Sequence, residues 1–212
     1  MNKLNENELE KKIREGYNKS RLLRGFVERG YKNKIRWKKG KNTNANWTKM
    51  TKRVFEEIGE EKEFKIVETD KEKKNKEFMA LDQVWFNKEK DDVAVLALET
   101  ENRAKFEEIV KDEFRKLLNF KSDYKILIWY NYDDDDEGKF LDEFQKKVNV
   151  HPKVLKNEVF FIIKLWRNEK GIGLTICKLK KHEKRKDVKQ WLVYDMYKRK
   201  AKAKELKNEI EA

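Results

Sequence analysis

The run Val93-Ala94-Val95-Leu96-Ala97-Leu98 constrains this chain more than any other segment. It is apolar on both faces of a strand, so it belongs inside a sheet with cover on each side. After it, Phe106, Ile109, Val110, Phe114, Leu117 and Leu118 repeat at helical spacing, and Tyr124–Tyr130 again reads as a strand. A strand, a helix and a second strand imply a parallel crossover. Two earlier strands, Phe64–Val67 and Glu77–Phe86, are joined by the charged connection Lys71–Lys76. The expectation is an α/β fold with a mixed central sheet and flanking helices.

The same pattern organises the rest of the chain. Residues 6–29 read as a basic helical stretch and 30–45 as a loop or short hairpin. Trp47, Met50, Val54, Phe55 and Ile58 form the stripe of a helix that Asn46 can cap and Gly59 can end. A helix over Phe140–Val148 and strands over Val159–Leu165 and Gly171–Leu179 follow. Asp187–Glu211 reads as a long charged helix. This divides the chain into a basic N-terminal extension (1–45), an α/β core (46–180) and a basic C-terminal helix (181–212).

The central run ends in carboxylates. Glu99 and Glu101 are one residue apart, so they share a face of the strand, and Asp82 lies on the segment before it. If the two segments pair as a hairpin, the three acids converge and repel one another unless a cation neutralises them. Mg²⁺ or Mn²⁺ suits such a set, because two or three carboxylates and a phosphate oxygen complete its oxygen shell. Metal-assisted phosphodiester hydrolysis is the reaction that follows.

The charge distribution points to the same substrate. The chain carries a net +13, with +12 between Lys19 and Arg53 and +9 between Lys178 and Lys204. The remainder, which contains the carboxylates, is therefore net acidic at about −8. Two basic arms around an acidic centre fit a polyanion bound by the arms and cut at the centre. Phe26, Tyr31, Trp37 and Trp47 are interleaved with the first arm. Its candidate nucleic-acid contacts are Arg24, Arg29, Lys34, Arg36, Trp37, Lys38, Lys39, Lys41, Lys49 and Arg53.

Other chemistries find no support. One cysteine, Cys177, and two histidines cannot assemble a Cys/His zinc site or an internal disulfide. There is no phosphate-binding glycine loop and no Ser-His-Asp set. An EF-hand loop begun at Asp133 would need Glu where Phe144 stands, so Asp133–Glu137 reads as an acidic turn leading into a helix. No apolar stretch is long enough to span a membrane, and the charged first residues do not read as a secretory signal. A reducing, cytoplasmic location is expected.

Helix, three strands, helix and strand, with Asp82 on the second strand and Glu99-Thr100-Glu101 ending the third, resembles the PD-(D/E)XK nuclease superfamily. This group includes restriction endonucleases, Holliday-junction resolvases and repair exonucleases. The resemblance covers roughly residues 46–130 and implies a restriction-endonuclease-like core (α-β-β-β-α-β) between the basic extensions. It makes Asp82 the motif aspartate and Glu99 the motif glutamate, both catalytic and holding one or two divalent ions. Glu101 stands at the usual lysine and Leu81 at the usual proline. The resemblance also implies a glutamate from the first helix, for which Glu57 borders the apolar stripe and Glu56 faces away. Lys105 is a candidate for the missing cation. DNA is the expected partner rather than RNA, and many such nucleases cut both strands as homodimers. A catalytically silent nuclease-like domain that binds nucleic acid or a partner protein is the alternative.

Overall fold

The computed structural model describes residues 4–19, 41–68, 81–101, 106–130, 137–167, 171–184 and 188–195. The chain is α/β, with one mixed sheet flanked by helices. Helix α1 spans Glu6–Lys19 and α2 spans Lys41–Glu61. Strands β1 (Lys65–Glu68), β2 (Gln83–Asn87) and β3 (Lys90–Glu101) follow. The next helix, α3, is α-helical over Phe106–Glu108, π-helical over Ile109–Glu113 and α-helical again over Phe114–Asn119. Then come β4 (Tyr124–Tyr130), α4 (Glu137–Val150), β5 (Val159–Arg167), β6 (Gly171–Lys180) and β7 (Lys189–Asp195).

The strands lie side by side in chain order. β1, β2 and β3 form an antiparallel meander, β3/β4 and β4/β5 are parallel, and β5, β6 and β7 are antiparallel again. The two parallel steps advance the same way across the sheet. Right-handed crossovers then put both connecting helices on one face, and α3 and α4 do share a core there. Ile109, Phe114 and Leu117 of α3 and Leu141, Phe144 and Val148 of α4 pack on Ala97, Leu127, Phe160, Ile162 and Cys177. Helices α1 and α2 cover the other face, where Ile13, Tyr17, Met50 and Phe55 meet Leu96, Leu98, Ile126, Phe161 and Ile176. Cover on both sides is why β3 and β4 read as continuous apolar runs. Among the described residues no helix is long and apolar enough to cross a membrane.

Three segments differ from the reading by pattern. Helix α2 begins at Lys41, ahead of Asn46, and runs past Gly59. It ends instead near Glu63, whose φ of 59° is left-handed. Gly59 is there for close approach: a Cβ would stand 2.8 Å from Ile66 Cδ1 and 3.0 Å from Trp85 Cε2. Lys189–Asp195 is a strand, not the start of a charged helix. Its backbone pairs with β6 (Leu174 with Trp191), and Trp191 packs against the α1 side of the core. Charge density on either side suggested a solvated helix, but the run Trp191-Leu192-Val193-Tyr194 is rich in the aromatic and β-branched residues that favour a strand. Finally, α1 packs within the core rather than standing apart as an extension.

The acids of α1 explain how a basic chain holds that helix. Glu10 meets Lys178 at 2.6 Å and Lys189 at 3.0 Å, and Glu6 meets Lys180 at 2.6 Å. On its other flank Lys12 pairs with Glu61 at 2.5 Å, and Glu8 pairs with Lys62. Tyr17 shares a buried hydrogen bond with Thr51 at 3.1 Å, and the Tyr124 hydroxyl donates to the Leu4 carbonyl. The extra basic charge of β6 and β7 is thus partly matched by α1.

Two predictions follow from this packing. Gly59→Val should cost about 1–3 kcal/mol by overpacking, read as a lower denaturant midpoint at unchanged slope. Burial works against the Glu10 carboxylate, but Lys178 and Lys189 outweigh it and hold its pKa below the ordinary 4.5. Its contribution is therefore present above pH 4.5 and lost as pH falls through the lower folded value. Urea unfolding across that acid limb should be less steep in pH for Glu10→Gln.

Candidate active site at the end of the central strands

Asp82 immediately precedes β2, and its N–H donates to the Leu98 carbonyl at 3.1 Å. The register pairs Gln83 with Leu98, and with the Asp82 N–H also on Leu98 the aspartate stands beside the end of β3 where Glu99 and Thr100 follow. The Asp82 carboxylate is only 6% exposed. Oδ2 accepts the Thr100 N–H at 2.8 Å and the Thr100 hydroxyl at 2.5 Å, and Oδ1 lies 3.2 Å from the Lys52 ammonium of α2. Gln83 anchors the same corner. Its amide donates to Glu68 at 2.9 Å and to the Lys52 carbonyl at 3.4 Å, while its oxygen accepts from the Trp85 indole.

Glu99 points to the opposite side, under α3, and is 3% exposed. Lys116 Nζ stands 3.6 Å from Glu99 Oε1 and 2.5 Å from Glu113 Oε2. Burial comes first among the causes that push the Glu99 pKa up to about 10. A hydrogen bond with the Glu113 carboxyl and the charges of Asp82 and Glu113 add to it, and Lys116 opposes them. Burial also works against the Lys116 charge, yet Glu113 and Glu99 hold it protonated with a raised pKa. Among the described residues Glu99 Oε1 has no hydrogen-bond partner, the Lys116 ammonium at 3.6 Å aside. A buried carboxylate oxygen with an unused lone pair, beside a second carboxylate, is an arrangement suited to a cation.

Of the residues singled out by sequence, Asp82 and Glu99 lie at the same corner of the sheet, near enough for the Asp82 charge to act on Glu99, with their carboxylates turned toward opposite faces. Glu101 shares the Glu99 face but lies half-buried at the end of β3, beside Trp129 in the parallel register. Glu57 does not join them: it is 56% exposed and accepts from Arg53 Nε at 3.1 Å, one turn away on α2. The residue that α2 turns toward Asp82 is Lys52. Among the described residues no group of three His, Cys, Asp or Glu side chains could by itself hold a metal ion. Two carboxylates still fit magnesium, which takes one or two and completes its shell with water and phosphate.

Of the basic-arm residues, Arg24, Arg29, Lys34, Arg36, Trp37, Lys38 and Lys39 lie outside the described residues, as do Lys105 and Asp133–Asp136. Lys41 is in the first turn of α2, but its side chain is outside them too. Lys49 is exposed on α2, and exposed Arg53 is engaged by Glu56 at 2.5 Å as well as by Glu57.

Sequence reasoning missed Lys52, Glu113 and Lys116. A signal for the last two existed, since both border the apolar stripe of α3 three residues apart. The π segment hides it. One extra residue per turn rotates everything after Ile109 relative to a regular helical wheel.

Stability should report this electrostatics directly. In metal-free buffer Glu99 keeps its proton in the folded state while the unfolded chain releases it above pH 4.5. The stabilisation is thus full below pH 4.5 and is lost as pH rises toward about 10. Glu99→Gln should flatten that alkaline decline in denaturation midpoints. Asp82→Ala should instead cost about 2–3 kcal/mol at neutral pH, because it strips Thr100 and Lys52 of a charged partner. No protein-family model, no curated protein and no solved structure matches this chain.

Proposed function

We propose that this chain is a metal-dependent phosphodiesterase that hydrolyses DNA on a restriction-endonuclease-like core. One observation carries the reading: Asp82 and Glu99 lie at one corner of the sheet, close enough for the Asp82 charge to act on Glu99, with the Lys116 ammonium 3.6 Å from Glu99. The run α2-β1-β2-β3-α3-β4, with β3 and β4 parallel, has the order of the nuclease family it resembles.

Asp82 and Glu99 would hold Mg²⁺ or Mn²⁺, which supplies an acidified water and charge neutralisation at the phosphate. Thr100 and Lys52 fix the Asp82 carboxylate, so its oxygens are presented in one orientation. Lys116 takes the part of the missing motif lysine from a different element. Held by Glu113, it offers a protonated amine to the phosphate or to the attacking water. The basic segments draw in the strand and set its salt dependence. The lone thiol, Cys177, is buried and reduced, which suits a cytoplasmic setting.

A second reading has its own support. Oδ1 and Oδ2 of Asp82 already have protein partners, and Lys116 neutralises Glu99. Lysines standing where a cation would be drawn describe a catalytically silent domain of the same build that binds nucleic acid or a partner protein.

Plasmid, linear and branched DNA incubated with Mg²⁺ or Mn²⁺ separates the two. The nuclease reading expects metal-dependent cutting, reduced at least about a hundredfold in Asp82→Ala, Glu99→Ala and Lys116→Ala. Cutting that survives Glu99→Ala would sink it. Metal-independent DNA binding without cleavage or Mn²⁺ affinity selects the silent domain.

A further inference from the structure

Under α3 a single ammonium answers the carboxyl groups of both Glu99 and Glu113. Lys116 Nζ lies 2.5 Å from Glu113 Oε2 and 3.6 Å from Glu99 Oε1. The longer contact is an ion pair outside hydrogen-bond reach. The two carboxyl groups are themselves near enough to share a hydrogen bond. The cluster is closed at one end and open at the other: the Glu99 side chain is 3% exposed, Glu113 19% and Lys116 30%. Glu113 is the last residue of the π-helical turn, and Lys116 follows it by three, so both lie along one side of α3. Such turns often mark functional sites.

A structural ion pair in the same chain is built differently. Lys125 and Glu158 are both buried at 2.7 Å, one charge to one, and Glu158 also takes the Leu155 N–H. Neither can withdraw without leaving the other charged and dry. Lys116 can withdraw. Its ammonium is already partly in water, at the end of a flexible four-carbon stem. It would leave a buried carboxyl group beside a second one at the rim. One ammonium supplies half the charge that two carboxylates call for, and a divalent ion supplies all of it. Oxygen donors of this kind suit Mg²⁺ and Mn²⁺, with water completing the shell.

We propose that Lys116 is a built-in place-holder of the metal site, neutralising Glu99 and Glu113 in metal-free protein and yielding both to a divalent ion, with Glu113 as a further ligand beside Glu99. This rests on the metal-dependent reading above. The displaced ammonium remains tethered to α3 within reach of the same corner, where it meets the phosphate. The cation that a strand needs is thereby released only when the metal is in place, so Lys116 orders the two binding events.

The test is titration of the full chain with Mn²⁺ in the absence of DNA, read by electron paramagnetic resonance of the free ion, alongside DNA cleavage. Lys116→Met should bind Mn²⁺ at least about tenfold tighter than wild type, and Glu113→Gln about tenfold weaker. Lys116→Arg keeps the charge and should bind no tighter than wild type. A lysine that serves only structure would lower the melting temperature of Lys116→Met and leave its Mn²⁺ affinity unchanged. That result overturns the place-holder, as would unchanged affinity in Glu113→Gln, tighter binding in Lys116→Arg, or no Mn²⁺ binding by either wild type or Lys116→Met. Should Lys116→Met fail to fold, Glu113→Gln and Lys116→Arg decide by the same criteria. Tighter Mn²⁺ binding with slower cutting in Lys116→Met supports the ordered exchange. The expected affinities in a protein that never cleaves DNA would refute the nuclease reading and leave the place-holder standing.

Discussion

The parallel pairing of β3 with β4 is the constraint on which the rest of the molecule depends. It obliges the chain to leave the sheet after Glu101, cross one face as α3 and return at Tyr124. That crossover lays Glu113 and Lys116 over Glu99. The antiparallel pairing of β2 with the other edge of β3 brings Asp82 to the same corner. Lys52 and Asp82 on one side and Glu99, Glu113 and Lys116 on the other thus gather at one corner because one strand is hydrogen-bonded on both edges. The two faces are closed by different means: α3 and α4 by the aromatic packing of Phe106, Phe114, Phe140 and Phe144, and α1 by ion pairs as well as apolar contact.

Two buried charged sites on the same face show what distinguishes a functional from a structural arrangement here. Lys125 is fully buried, but Glu158 accepts from it at 2.7 Å and also takes the Leu155 N–H at 3.0 Å. Burial lowers the Lys125 pKa, and Glu158 opposes the shift. Every strong group at that site has a partner, which is how a fold tolerates a charge in its interior. Glu99 differs. Among the described residues its nearest ammonium is shared with Glu113 and sits at 3.6 Å, and one oxygen has no hydrogen-bond partner. Like charges brought together under cover are costly to the fold and useful to chemistry.

Much of the framework was legible because burial on two faces leaves a strong pattern. Val93–Leu98, Tyr124–Tyr130, Val159–Leu165 and Gly171–Leu179 each contain a run that only a covered strand explains. That Asp82 comes near the end of the central strand could be expected from hairpin geometry, since antiparallel neighbours fall opposite one another. What failed did so for local physical reasons. Charge density hid the short strand-forming run Trp191–Tyr194. Gly59 looked like a stop because glycine often ends helices, whereas here the crowding of Ile66 and Trp85 requires it. Glu57 looked well placed on a wheel, but Arg53 lies one turn back and holds it at the surface.

By itself the sequence determined the layered α/β architecture, the parallel crossover and the placing of Asp82 and Glu99 at one end of the central strands. Those follow from periodicity and from the alternation of side chains, which are properties of a single segment and its neighbour. Only the tertiary structure decided which cations answer those carboxylates. Lys52 lies thirty residues before Asp82 and Lys116 seventeen after Glu99. Their approach depends on the tilt of α2 over the sheet and on one extra residue in a turn of α3. Contacts of that kind are set by packing between elements, and no periodicity within an element encodes them.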